Sequence, residues 1–228
     1  MSHAGSDFET TAAAPQRSAV TLAGLGRLFV KPAEFFRDTE LQPGWLWLAA
    51  VWLVGIDAVF DRIDRKLMQS DLGSKQDFGQ SVVQSWPSYW GIALFGGLVA
   101  GAMIWFFGGL WYRLRLGFAG ATLPDPREAR LVYTFAGLVG AVPSILLTAF
   151  YTWRFPNYLA AWQSEDLLTS VLNMVPLGFL IWSFVVNYRG VLARFEVNLW
   201  PARLWFLILP VVLMLAMTGV IGALYAYA

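Results

Sequence analysis

Five apolar blocks separated by short polar stretches set the rhythm of this 228-residue chain. They run at about residues 44–60, 88–112, 129–153, 167–188 and 204–225. A helix needs roughly 20 residues to cross the hydrocarbon of a bilayer, and the blocks approach or exceed that. Lipid offers no partner to backbone polar groups, so only helices and closed barrels span it. A barrel needs alternating strands of about ten residues, and the chain has none. The pattern predicts an all-α fold, a polytopic membrane helical bundle with five transmembrane spans and an interfacial N-terminal amphipathic segment. Three regions follow: a disordered tail over 1–18, amphipathic interfacial or cytosolic helices over 19–42, and a five-span membrane domain over 43–228.

Ahead of the first block, Leu22, Leu25, Leu28 and Phe29 recur at helical spacing, with Arg27 and Lys31 among them. Pro32 suits the first turn of a second short helix bearing Phe35 and Phe36. Two placements fit. The apolar face enters the acyl region while the cations meet headgroups, or that face packs on the cytosolic end of the bundle.

The first block opens on Trp45 and Trp47, suited to the membrane interface. Its helical pattern runs on through DRIDRKLMQSD, with Asp57, Asp61 and Asp64 on one face. Asp57 is either a solvated or ion-paired helix end, or a carboxylate with a proton or cation role, since intramembrane charge is costly. In the second block Gly97 and Gly101 form a GxxxG continued by Gly108, and the third carries Gly137 and Gly140. Small residues let backbones approach, and close packing holds helices together in lipid. The seam predicts helix contact, with homodimerisation as one form of it. Asp125-Pro126-Arg127-Glu128 reads as the capped start of the third span.

The fourth block has the clearest polar stripe. Thr169, Asn173, Ser183 and Asn187 fall on one face with Pro176. Hydrogen bonding between helices around a proline bend is one reading, and a polar pathway for a small solute or proton is the other. Pro143, Pro176 and Pro210 place one proline in each of the last three blocks.

Charge adds orientation. Of sixteen Lys and Arg residues, eleven lie in the N-terminal segment, the loop holding Arg113, Arg115, Arg127 and Arg130, and the loop holding Arg189, Arg194 and Arg203. The positive-inside rule then puts the N-terminus in the cytoplasm and the C-terminus outside. Arg27, Lys31, Arg113, Arg115, Arg127 and Arg130 are expected to meet anionic headgroups or a partner.

Chemistry is sparse. A net charge of +1 gives no bulk attraction to nucleic acid, so no nucleic-acid partner is expected. The chain has no cysteine and a single histidine, His3, which removes thiolate and imidazole chemistry from its body. No apolar core closely follows Met1, so a cleavable signal peptide is not expected. Lysine occurs only at Lys31, Lys66 and Lys75, outside the blocks, and Asp57 has no acidic counterpart in another block. A serine nucleophile with its base, or an aspartyl pair, therefore has no residues to draw on. The expectation is a non-enzyme without metal or cofactor.

The segment RLFVKPAEFFRD before the first block and the stretch WYRLRLGFAGATLPDPREARLVYTFAGLVGAVPSILL resemble the Yip (Ypt-interacting protein) domain family, its prokaryotic branch more closely. The resemblance rests on Phe29-Val30-Lys31-Pro32 with Phe35 and Phe36, on Leu116-Gly117, and on an Arg-Leu-Val-Tyr-Thr lead into a span with a mid-helix proline. It covers about Leu22 to the C-terminus. In eukaryotes it implies vesicle traffic and binding of Rab-type GTPases. The Asp-Leu-Tyr-Gly-Pro signature of that branch is absent, and the GTPase role is not carried over.

The leading expectation is a scaffold or adaptor in a prokaryotic cytoplasmic (inner) membrane, organising membrane partners or membrane shape. Its partners would be the lipid bilayer, other membrane proteins or further copies of itself. The competing reading is a small oligomeric transporter or channel subunit using the polar face of the fourth span.

Overall fold

A computed structural model describes residues 18–71 and 80–227. The tail expected over 1–18 lies outside the described residues except for Ser18, and Lys75 lies outside them too. Two short strands, β1 (Ser18–Ala19) and β2 (Thr39–Glu40), pair in parallel and bracket α1 (Leu22–Val30) and α2 (Pro32–Asp38). Then come α3 (Trp45–Asp71), α4 (Gln80–Val83), α5 (Trp86–Met103), α6 (Gly109–Phe118), α7 (Pro126–Arg154), α8 (Tyr158–Trp162), α9 (Leu167–Arg194), α10 (Leu199–Arg203) and α11 (Leu209–Tyr227). Single π-helical turns, Ile104–Gly108 and Leu204–Ile208, join α5 to α6 and α10 to α11. The second of them precedes Pro210, which brings no N–H to the helical ladder.

Among the described residues, four helices are long and apolar enough to cross a membrane: Trp86–Phe118, Pro126–Arg154, Leu167–Arg194 and Leu199–Leu224. The first predicted span falls in α3 and is not among them. Its helix carries Asp57, Asp61, Arg62, Asp64, Arg65 and Lys66, too much charge for an apolar window. α3 nevertheless runs the length of the bundle beside α5. Trp47 meets Trp105 toward one end, with ring centroids 4.7 Å apart, and Phe60 stacks on Tyr89 at 5.3 Å toward the other.

Glycine makes that pairing close. A Cβ on Gly97 would lie 2.6 Å from Ile56 Cγ1, and one on Gly101 would lie 2.5 Å from the Val51 carbonyl oxygen. Gly55, unremarked in the sequence pattern, faces both glycines across the seam. The GxxxG is thus filled by the chain's own α3. Gly108 sits against Tyr133, and Gly137 is in ordinary contact with Val54. Gly140 corrects the pattern: a Cβ there would meet nothing within 4 Å, so no close approach depends on it.

α7 is the most buried of the four apolar helices and packs against α3, α6 and α9. Its start follows the expected cap, Asp125 accepting from the Arg127 backbone N–H at 2.9 Å. Glu128 does not reach back as a capping box would, because it pairs instead with Arg194 at 3.0 Å. Around α7 the core divides in two. One cluster joins Leu28, Phe35, Phe36, Leu116, Phe135, Val191 and Phe206; the other joins Ile56, Phe60, Val83, Trp86, Tyr89, Tyr151 and Tyr158.

The large residues of the N-terminal segment pack on the bundle. Leu28 and Phe36 are 0 % exposed and Phe35 1 %, with Phe36 against Gly190 of α9 and Phe35 edge-on to Phe135 of α7. These residues of the apolar face are therefore spent on the bundle, where aromatic packing is available to them. Leu22 and Val30 stay exposed.

Candidate functional sites

The two clusters lie beneath two different surfaces. Over the first, three chain segments are stitched together. Arg194 at the end of α9, its side chain 3 % exposed, pairs with Glu128 and donates to the Thr39 carbonyl. The Asn198 backbone N–H donates to the Ala119 carbonyl at 2.9 Å, and Trp182 Nε1 donates to the Phe29 carbonyl at 2.8 Å. These are the three segments whose positive charge sets the predicted orientation. Gly120, at φ +91°, lets α6 turn there, a conformation that favours glycine.

The arginines of this end divide. Arg115 turns inward, donating to the Trp205 carbonyl and lying 4.4 Å above the Phe206 ring. Arg130 lies over Trp105 and Phe106 at 5.8 and 5.7 Å. Arg113 donates to the Pro124 carbonyl at 3.1 Å. Arg27 and Arg127 are exposed, as is Lys31, which pairs with Glu34 at 3.3 Å. The expected headgroup or partner contacts are thus open at Arg27, Lys31 and Arg127. Arg115 and Arg130 are engaged with aromatic rings, where a guanidinium binds through cation–π attraction.

Over the second cluster lies a cavity of about 440 Å3 between α3, α7, α8 and α9. Asp64 accepts from Tyr158 Oη at 2.6 Å, and Asn173 Oδ1 accepts from Tyr151 Oη at 2.8 Å. Ser144 and Thr148 line the cavity as well, and Asp57 lies beside Ser144. The rims carry further bonds: Trp86 Nε1 to the Phe155 carbonyl at 2.8 Å and Trp162 Nε1 to Asp71 at 3.0 Å. Asp166 caps α9, accepting from Ser164 Oγ at 2.6 Å, Thr169 Oγ1 at 2.7 Å and the Thr169 backbone N–H at 2.9 Å. Those bonds, led by Ser164, hold its carboxyl well below the usual carboxylate range.

The polar stripe of α9 therefore does not act as one unit. Thr169 binds the Asp166 cap, Asn173 faces the cavity, and Ser183 donates to the Leu180 carbonyl at 2.7 Å of its own helix. Asn187 accepts from Tyr112 Oη at 2.7 Å, far from the cavity and buried. Asp57 is brought near the stripe only through Ser144. Sequence reasoning missed Asp64, Tyr151 and Tyr158 as a group. The shared face of Asp57, Asp61 and Asp64 was a signal for the first, but α8 arrives from a distant loop and nothing local announces it. Among the described residues no three His, Cys, Asp or Glu side chains gather as a metal site.

No curated protein and no solved structure matches the chain significantly. The Yip1 domain family does, over residues 26–221, from α1 to within α11. With its long apolar helices and that match across most of its length, the chain is an integral membrane protein belonging to the Yip1 domain family.

Proposed function

We propose that the protein is a non-enzymatic scaffold or adaptor that organises membrane partners or membrane shape. The observation carrying this reading is the stitched surface formed by the N-terminal segment, the α6–α7 loop and the α9–α10 loop. Arg194 and its two acceptors hold the segments together, and Leu22, Val30, Leu123 and Trp200 remain exposed beside Arg27 and Arg127. A fixed surface mixing apolar residues and cations suits a protein partner beside anionic headgroups. In this reading α3 is a fifth crossing, its charged half closing the far end of the bundle. The stitched surface faces the cytoplasm of a prokaryotic inner membrane, with the C-terminus outside, and nucleic acid is not a partner.

Crosslinking in native membranes, with and without residues 18–42, tests the role. Partner or self adducts that vanish with the segment are expected; monomers alone would remove the scaffold reading. A reporter fused after Ala228 should be active only outside the cytoplasm. The second reading, an oligomeric transporter or channel subunit, is favoured by one observation, that Asn173 faces the cavity. Reconstituted protein without proton, ion or solute flux under a gradient would eliminate it.

A further inference from the structure

The cavity between α3, α7, α8 and α9 has features that scaffolding does not use. Its volume of about 440 Å3 lies within the roughly 300–1,000 Å3 range of small-molecule sites, and is far more than a bare ion fills. Its walls combine oxygen acceptors, Asp64 and Asn173, with the rings of Phe60, Tyr151, Tyr158 and Trp162. The charged groups that act most on Asp64 are Asp61 and Asp57, both acidic. Two nearby arginines are turned elsewhere. Arg65 pairs with Asp61 at 2.5 Å on an exposed face, and Arg154 pairs with Asp166 at 3.4 Å.

Behind the cavity wall lies a further polar group. Tyr89 is 0 % exposed, and its hydroxyl makes no hydrogen bond. Its ring stacks on Tyr158 at 4.4 Å and on Phe60 at 5.3 Å, and its hydroxyl stands beside those of Thr148 and Tyr158, both cavity residues. A buried hydroxyl without a partner is costly, and this one lies behind the Tyr158 wall of the cavity rather than on its lining.

We propose that this cavity binds an organic ammonium group, held between the Asp64 carboxylate and the aromatic rings of Tyr158, Tyr151 and Trp162. An ammonium is drawn to the negative faces of such rings and to a carboxylate at once. The ammonium can belong to a lipid headgroup or to a free small amine. Asn173 and Ser144 supply acceptors for N–H or hydroxyl groups carried with it.

The test uses the full chain in nanodiscs made only of phosphatidylglycerol, titrated with choline and with ethanolamine and followed by tryptophan fluorescence. Sodium chloride at equal ionic strength is the control. Saturable binding, about tenfold or more weaker in Asp64→Asn and weakened about fivefold in Trp162→Leu, is the expected result for a free amine. If instead the soluble amines do not bind, native mass spectrometry of protein from phosphatidylethanolamine nanodiscs should retain one such lipid, lost in Asp64→Asn. That identifies the headgroup as the source. Arg27→Gln, exposed on the N-terminal segment and away from the cavity, should leave either readout unchanged, and each variant's melting temperature checks its folding. Binding unaltered by both cavity substitutions, competition by sodium as strong as by choline, or neither amine nor lipid retained would each overturn the proposal.

Discussion

The two ends of the bundle resolve buried charge in opposite ways. At the stitched end, Arg194 is enclosed with a carboxylate, Glu128, and a carbonyl, Thr39, and aromatic rings cover Arg115 and Arg130. At the far end the inward-facing charges are carboxylates, Asp57 and Asp64, only half-buried, and the Tyr158 hydroxyl meets Asp64. A buried charge costs several kcal/mol unless paired and hydrogen-bonded. The first end meets that cost at Arg194 with protein groups, and the pocket beside β1 and β2 there is smaller, about 180 Å3. The second leaves space around its carboxylates. One end ties its arginines to carbonyls, a carboxylate and rings, and the other keeps the larger cavity of about 440 Å3 beside Asp64.

Arg194→Ala should break this contrast most severely. Removing one partner of a buried pair typically costs about 3–5 kcal/mol, and here it also frees β2 and α2. Thermal unfolding in detergent should fall sharply, with protease cutting between residues 18 and 42; a wild-type profile would show that the stitching is incidental. Phe36→Ala should act at the same end through packing, with a loss of about 3–5 kcal/mol, since the ring fills the space against Gly190 and Val132. Gly101→Leu tests the middle of the bundle. A side chain there meets the Val51 backbone, and the α3–α5 pair should separate at a cost of about 1–3 kcal/mol or more. Cysteine crosslinking between α3 and α5 would report it.

Smaller effects sharpen the comparison. Tyr112→Phe removes the donor to Asn187 and should cost only about 0.6–1.7 kcal/mol, the range of such bonds between membrane helices. Asp166→Ala should be milder still and local, loosening the first turn of α9. Its carboxyl is held below its ordinary range in the fold, so its contribution is complete above the unfolded carboxylate value. That contribution fades as pH falls through the depressed one. Hydrogen exchange at Thr169 and Ser170 should therefore quicken in strong acid, and in Asp166→Ala at neutral pH.

Hydrophobic periodicity located the later helices to within a few residues at most ends, because lipid demands long apolar helices and little else produces them. It also located the Asp125 cap, whose side chain and N–H donor are neighbours in sequence. The α9 stripe was legible as a polar face and misleading as a unit. Thr169, Ser183 and Asn187 each found a partner set by which element packed there. The arginine cluster was legible as charge but not as direction, since Arg115 and Arg127 look alike until Trp205 and Phe206 arrive beside one of them.

The sequence by itself determined that this is a helical membrane protein of the Yip1 domain family, because apolar length and local capping act within a single element. Tertiary structure alone decided which helix fills the glycine seam, that Phe35 and Phe36 serve the bundle, and that Asp64 meets Tyr158 across 94 residues of chain. Those outcomes depend on which surfaces meet, and a linear pattern records the faces of a helix without naming what will cover them.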